Sequence, residues 1–315
     1  MTRPLYPESR LAFQRLFPNE EACLKYLIES RWPNGFLCPR CGSNLHYWKA
    51  PRNLFQCKQC GLQTSVTAGT VMHRSKIPLW MWFQAAWLVT TMTPGMSAVQ
   101  FARQMGIGNY ETAFNMLHKL RAAMVKEGRE LLHGVVEADE TYIGGSEAGP
   151  GGRGARGKVI VAGAVEVRGE YAGRVRLRVV KDVSGKSLIE FVRTNVLPGS
   201  TIHTDAWVSY GGLSKAGYKH VAKTEGKHVH IHRVFSNLKS WLIGTHHGVS
   251  PQHLQAYLNE FAFRFNRRKT PMAAFQTVLG LIAERHGPTY EELYGIAKGE
   301  SLYHHPNPIR RGVGS

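Results

Sequence analysis

An α/β unit preceded by a zinc-binding knuckle region and a helical segment is the fold class that this sequence predicts. Three observations predict it: two CxxC pairs separated by fifteen residues, helical spacing of apolar residues up to about residue 128, and strand-like and helix-like runs that follow, with acids at two strand ends. At 315 residues and 43% hydrophobic content the chain can bury a substantial core, and its length suggests two or three folded units. The pattern divides it into a helical lead-in and zinc region at 1–70, a helical region at 71–130, an α/β unit at 131–285 and a tail at 286–315.

The lead-in rests on "ESRLAFQRLF" and "NEEACLKYLIESRW", whose apolar side chains recur at three and four residues. Next, Cys38 and Cys41, then Cys57 and Cys60, form two knuckles in which each turn lets two thiolates reach one ion. Gly42 and Gly61 directly after them relieve the tight backbone. Tetrahedral structural zinc is the expected occupant; a redox CxxC or four buried thiols fit polar flanks poorly. Cys23 sits among helical apolar positions as a core residue.

The run "IPLWMWFQAAWLVTTM" at 77–92 falls short of the roughly 20 residues that span a bilayer and carries Gln84, so it reads as a buried helix. In "SAVQFARQMGIGNYETAFNMLHKLRAAM", Ser97 can cap one helix, "GIGN" at 106–109 makes a turn, and a second helix starts at Tyr110. This is helix-turn-helix spacing, with His118, Lys119 and Arg121 as the side chains that would reach DNA; a plain helical hairpin has the same spacing.

"HGVVEADETYIGG" reads as a buried strand ending in acids, and "SEAGPGGRGARGK" as a flexible basic loop. "VIVAGAVEV" and "GRVRLRVVKDV" have strand character, "SLIEFVRTNV" is helical, and "GSTIHTDAW" is a short strand ending in an acid. "HRVFSNLKSWLIG" and "SPQHLQAYLNEFAFRFNRR" are helical. Asp139 and Asp205 thus close two strands of an α/β unit, where ligands gather at carboxyl ends, and two such carboxylates can share a hard cation such as magnesium. Strand-end acids also cap helices or pair with arginines, so neither residue alone decides the matter. Glu140 points to the opposite face from Asp139; Glu137 shares its face as a supporting acid.

Forty lysines and arginines against twenty-two acids give a net charge of +18, a field that favours polyanions, nucleic acid ahead of a ribosomal or membrane-surface partner. The N-terminal residues lack the apolar core and cleavage site of a secretory signal, and five cysteines with four in close pairs do not make a disulfide framework, so the expected location is inside the cell.

"VEADETYIGG", "IHTDAW" and "HRVFSNLKSWLIGTHHGVSPQHLQAYLNEFAFRFNRR" together resemble bacterial insertion-sequence transposases of the DDE superfamily, in the subgroup with an N-terminal zinc ribbon called ISXO-two-like. The likeness covers about residues 15–275, with the motifs in order. It implies an RNase H-like catalytic fold with its first acid on the first strand, the second at the end of the fourth and the third member on a following helix. On that basis Asp139 and Asp205 are the first two members. The third position departs from the usual pattern of glutamate followed seven residues later by Lys or Arg, because this chain has His232 followed by Lys239. Seven residues are close to two helical turns, so the pair shares a face. Imidazole is a weaker magnesium partner than carboxylate, which keeps Asn237 and Glu260 as alternatives. His228 and His230 read as strand polar residues near DNA.

The resemblance further implies Mg²⁺ or Mn²⁺ at the acids, cleavage that frees a 3′-OH, and its joining to target DNA. Lys239 would contact a phosphate near the scissile bond, and Arg267 and Arg268 in "NRRK" would grip the backbone further off. The zinc ribbon and helix-turn-helix would recognise terminal inverted repeats, the loop at 144–158 would lie over substrate, and a homo-oligomer would bring two ends together in the cytoplasm, at the nucleoid. A catalytically silent regulator derived from a transposase is the alternative.

Overall fold

The computed structural model describes residues 7–125, 128–144, 158–222 and 229–284. All but the ends of the expected loop at 144–158, the tail at 286–315 and His228 lie outside the described residues.

Two capped helices open the chain. In α1 (Arg10–Leu16) the Ser9 side chain accepts from the Ala12 N–H, and in α2 (Glu20–Arg31) Asn19 accepts from Ala22. The ribbon follows as β1 (His46–Lys49), β2 (Leu54–Cys57) and β3 (Gln63–Ser65), an antiparallel sheet in that order. The run at 77–92 becomes α3 (Leu79–Thr91), which buries Trp82, Phe83, Ala85, Ala86, Trp87 and Val89. Pro78 offers its first turn no side-chain acceptor, and Glu20 takes that role: its two carboxylate oxygens accept from the N–H groups of Leu79 (2.8 Å) and Trp80 (2.9 Å). Among the described residues no helix is long and apolar enough to cross a membrane.

The hairpin expected at 97–123 forms as α4 (Ala98–Met105) and α5 (Tyr110–Ala123), with Gly106 left-handed at φ 63° and Asn109 accepting from Glu111 and Thr112. The structure corrects the expected role of α5. Of its fourteen residues only Glu111 is exposed; Met116, Leu117, Leu120, His118 and Arg121 are buried and Lys119 is half-buried. His118 and Arg121 therefore cannot reach DNA. Spacing shows which residues share a helix face, but not that this helix is covered on all sides. Arg121 pairs at 2.7 Å with Glu260 of a later helix, both 1% exposed, and its guanidinium lies over the Tyr257 ring. Breaking such a buried pair by removing one partner costs about 3–5 kcal/mol.

His118 is held neutral: burial, reinforced by the charge of Arg121, lowers its pKa to about 2. Unfolded histidine takes a proton below about 6.5, so between that pH and 2 the unfolded state binds more protons and stability falls with pH. We expect the thermal midpoint to drop from pH 7 to pH 4, with His118→Met flattening the drop in a calorimetric series.

Five strands build the second unit: β4 (Val135–Ile143), β5 (Val159–Arg168), β6 (Tyr171–Val180), β7 (Thr201–Thr204) and β8 (Lys219–Ala222), with α6 (Gly185–Asn195) between β6 and β7. The order is β6-β5-β4-β7-β8, antiparallel from β6 to β4 and parallel from β4 to β8. Both faces are covered, which is why β5 reads as a nearly continuous apolar run. Val136, Ala138, Ala162, Ala164 and Ile202 pack against Leu188, Phe191 and Val192 of α6. Val161, Val165, Val175 and Leu177 pack on the other face against α7 (Val229–His246) and α8 (Leu254–Asn266). His230 lies in the first turn of α7, which corrects its reading as a strand residue.

α9 (Pro271–Glu284) departs from the expected division at 131–285: its Phe275, Val278 and Leu279 join the N-terminal core, with the Phe275 ring 5.5 Å from Phe13. An apolar helix packs wherever its face is matched, and here the match is α3. The two units also meet where Trp241 Nε1 and Thr245 Oγ1 donate to the Pro94 carbonyl and Arg264 donates to those of Met92 and Thr93.

Candidate active site

Register brings the two aspartates together. In the parallel pair β4–β7, Glu137 stands opposite His203, so two residues further along each strand Asp139 is level with Asp205. The structure corrects one detail of the sequence reading: β4 continues to Ile143, so Asp139 lies inside its strand, while Asp205 does follow the last residue of β7. Asp139 faces α7, because it alternates with Val136, Ala138 and Glu140 on the α6 side. Its Oδ1 accepts from the Glu140 N–H at 2.8 Å, and the Asp205 Oδ1 accepts from the Trp207 N–H at 3.1 Å.

The third group comes from α7. His232 Nε2 lies 3.0 Å from Asp139 Oδ2, with His232 61% exposed and Asp139 15%. Burial raises the Asp139 pKa, the Glu140 N–H and His232 oppose that rise, and the charge of Asp205 adds to it. A carboxyl so placed gains from a nearby cation. Of the two alternatives to His232, Glu260 is locked in its buried pair with Arg121, and Asn237 sits five residues from His232, roughly 140° around the helix at about 100° per residue. Lys239 is exposed on the same stripe of α7 as His232.

The seat of α7 explains the contact. Gly163 pairs with Asp139 across β4–β5, and a Cβ there would lie 2.6 and 2.8 Å from the Phe235 ring and 3.0 Å from Ile231 Cδ1. The helix rests against bare backbone, and a glycine inside an apolar strand was the sequence signal for it. Glu137, 4% exposed, secures the first turn: its Oε2 accepts the N–H groups of His230 (2.9 Å) and Ile231 (3.0 Å). That oxygen anchors the helix one residue before His232. On the opposite face Glu140 accepts from the Tyr210 hydroxyl at 3.1 Å.

Gly163→Val is expected to destabilise by about 1–3 kcal/mol through overpacking, and Glu137→Ala by about 1–2 kcal/mol through loss of a helix-start acceptor. Both should speed hydrogen exchange at the amides of 230 and 231. Unchanged exchange in both variants would contradict this account of the seat.

The arginines predicted for backbone contact end α8. Arg268 is exposed, lies over the Phe265 ring at 4.1 Å and donates to the carbonyls of Phe265 and Ala172; Arg267 is half-buried over the Phe263 ring at 3.9 Å.

At the ribbon the four cysteines converge. Their ligand atoms lie within 4.8 Å of one another, with Cys38 and Cys60 sulfurs 3.5 Å apart and Cys41 and Cys57 sulfurs 3.6 Å apart. Each knuckle closes through its glycine: Gly42 at φ 72° donates to the Cys38 carbonyl, and Gly61 at φ 70° to that of Cys57. The Cys60 N–H, followed by that of Gln59, lowers the Cys57 pKa to about 6, while the neighbouring Cys41 thiol is pushed up to about 12. Cys23 is fully buried. Among the described residues only these cysteines gather as a group of three or more ligand atoms so tightly; Asp139, Asp205 and His232 form a more open arrangement.

Two family models match, the transposase zinc-ribbon domain over residues 18–63 and the ISXO2-like transposase domain over residues 131–266. The chain belongs to the ISXO2-like transposase family. It is also 26% identical over 294 residues to the uncharacterized protein in transposable element ISH50 of Halobacterium salinarum, covering 84% of this chain and 97% of that one. A looser likeness, 14% identical with a TM-score of 0.27, spans 74% of this chain and 78% of a chain in the simian T-cell lymphotropic virus intasome in complex with PP2A regulatory subunit B56 gamma. At that TM-score it carries no weight. The ISXO2-like match contains Asp139, Asp205, His232 and Lys239, and the zinc-ribbon match contains all four clustered cysteines.

Proposed function

We propose that this family member is a DNA transposase that cleaves at the ends of its element, exposes 3′-OH groups and joins them to target DNA. The observation that carries the reading is the register that sets Asp139 level with Asp205, with His232 Nε2 3.0 Å from Asp139. An RNase H-like catalytic fold from residue 131 onward is supported by the strand order, with Asp139 on the first strand of the sheet in chain order, Asp205 after the fourth and His232 on a following helix.

Two facing carboxylates, one with its pKa raised by burial and by the other's charge, suit a divalent cation with oxygen preference, so Asp139 and Asp205 would hold Mg²⁺ or Mn²⁺. Such ions, when bound, lower the pKa of an attacking water and stabilise a leaving oxygen. The open arrangement leaves room for phosphate oxygens. His232 fixes the orientation of the Asp139 carboxylate and completes the donor set from the exposed side. Lys239, about two turns along, meets a phosphate beside the scissile bond, and Arg268 with Arg267 reaches the backbone further away. The substrates are double-stranded terminal repeats and target DNA, the zinc ribbon takes part in end recognition, and pairing two ends calls for a homo-oligomer acting at the nucleoid in the cytoplasm.

Wild-type protein with Mg²⁺ or Mn²⁺ and duplexes bearing the element's own ends tests the reading. Joined products are expected. Cleavage without joining would make the protein a nuclease, and end binding without cutting under either metal would leave a silent DNA-binding regulator.

A further inference from the structure

With α5 buried, the N-terminal half needs another surface for DNA, and the ribbon supplies one. Between Glu29 and Glu111 the sequence holds no aspartate or glutamate, while Arg31, Arg40, Lys49, Arg52, Lys58, Arg74, Lys76 and Arg103 fall in that stretch. Four of these, Arg40, Lys49, Arg52 and Lys58, are exposed on the ribbon. β1 is an edge strand, and its residues alternate. His46 and Trp48 share the face of the Phe55 ring, at 4.9 and 4.8 Å between centroids, with Trp48 still 39% exposed. The other face carries Tyr47 and Lys49, with Lys58 reaching it from beyond β2, where its N–H donates to the Leu45 carbonyl. Tyr47 is 55% exposed, with the Lys58 ammonium 4.6 Å and the Lys49 ammonium 5.6 Å from its ring centroid.

We propose that this outer face of β1–β2, Tyr47 flanked by Lys49 and Lys58, is where the ribbon docks on the phosphate backbone of duplex DNA at the element's ends. This rests on the transposase reading above and names the surface that serves it. A single exposed ring is ordinary. An exposed ring with two ammonium groups over it, on a sheet edge inside a stretch of more than 80 residues without an acid, is complementary to a polyanion. Tyr47 gathers the two lysines over its ring and presents them together. The face positions DNA through phosphates rather than reading bases.

The test is the salt dependence of binding of the full chain to an end duplex and to a random duplex of equal length. Neutralising a phosphate contact lowers the slope of log K against log salt by about 0.9, so Lys49→Ala with Lys58→Ala should lower it by about 2 on both duplexes. Tyr47→Ala should weaken binding several-fold, with zinc content unchanged in every variant. Lys215→Ala, on an exposed lysine of the other unit, should keep the wild-type slope. A wild-type slope in the double variant overturns the proposal, as does an unchanged slope accompanied by a shift in oligomeric state, which would make the face a contact between copies. If wild type prefers neither duplex, the end-recognition reading fails, while the slope change still decides whether this face meets DNA.

Discussion

Asp139→Asn and Asp205→Asn are each expected to abolish cleavage and joining, and Asp139→Asn to leave the metal-free protein as stable as wild type or more so. The two effects have one cause. Asp139 carries a carboxyl whose pKa is raised, first by burial and further by Asp205, so its ionised form weighs against folding. For such a group the folded state binds the proton more tightly than the unfolded state. Its contribution to stability is therefore present at low pH and lost as pH rises through the folded value. An amide removes that penalty at neutral pH. It also removes the charge that would draw a cation, and losing several kcal/mol of transition-state stabilisation corresponds to a fall of about 10³-fold or more, at 1.36 kcal/mol per tenfold. His232→Ala should cost less than either, because the two carboxylates remain, and it should reduce rate more than DNA affinity. The measurements are single-turnover cleavage with Mg²⁺ and thermal melting in chelator. Activity within tenfold of wild type in either Asp variant would remove that residue from the site; full activity in His232→Ala would leave the third position to another group.

The second large effect is at the ribbon. Cys57→Ser, or a strong chelator, is expected to release zinc, unfold residues from about 36 to 65 and weaken DNA binding. Binding of structural zinc is worth about 10–16 kcal/mol in small finger domains, which exceeds what a ribbon this small can gain from its own core. That core is chiefly Phe36, Leu54 and Phe55 beside Cys38 and Cys57. The five-stranded sheet should survive, because neither of the clusters on its faces includes a ribbon residue. Zinc content by atomic absorption and hydrogen exchange by segment would follow both halves. Ribbon amides that stay protected after zinc is gone would show that packing against α2 and α3 holds the ribbon without the ion.

Much of the site could be read from residue type and spacing because those features are local. Two CxxC turns with glycines at the left-handed positions define a four-thiolate cluster within a few residues of chain, and the cysteines do converge. The helix start at Ser97 was legible because capping works over two or three residues, as it also does at Ser9, Asn19 and Asn109. His232 with Lys239 came from the family resemblance, and their seven-residue step puts both on one face of α7; the helix at 77–92 followed from the length of its apolar run.

The sequence by itself determined the ribbon cysteines, the order of strands and helices, and the positive field. The tertiary structure alone decided what those elements face. α5 has the spacing of a recognition helix, but α3, α4, α8 and α9 pack around it and bury His118 and Arg121. Glu260 looked available as an acid until α8 met α5 and gave it Arg121. α9 belongs to the N-terminal core because Phe275 finds Phe13 and Trp87 across more than 180 residues of chain. Gly163 and Glu137 seat α7 through contacts about 70 and 93 residues apart in sequence. Periodicity specifies which side chains share a face; which partner covers that face is set by packing between distant segments, where a buried charge must find its counterion and a helix must find bare backbone to approach.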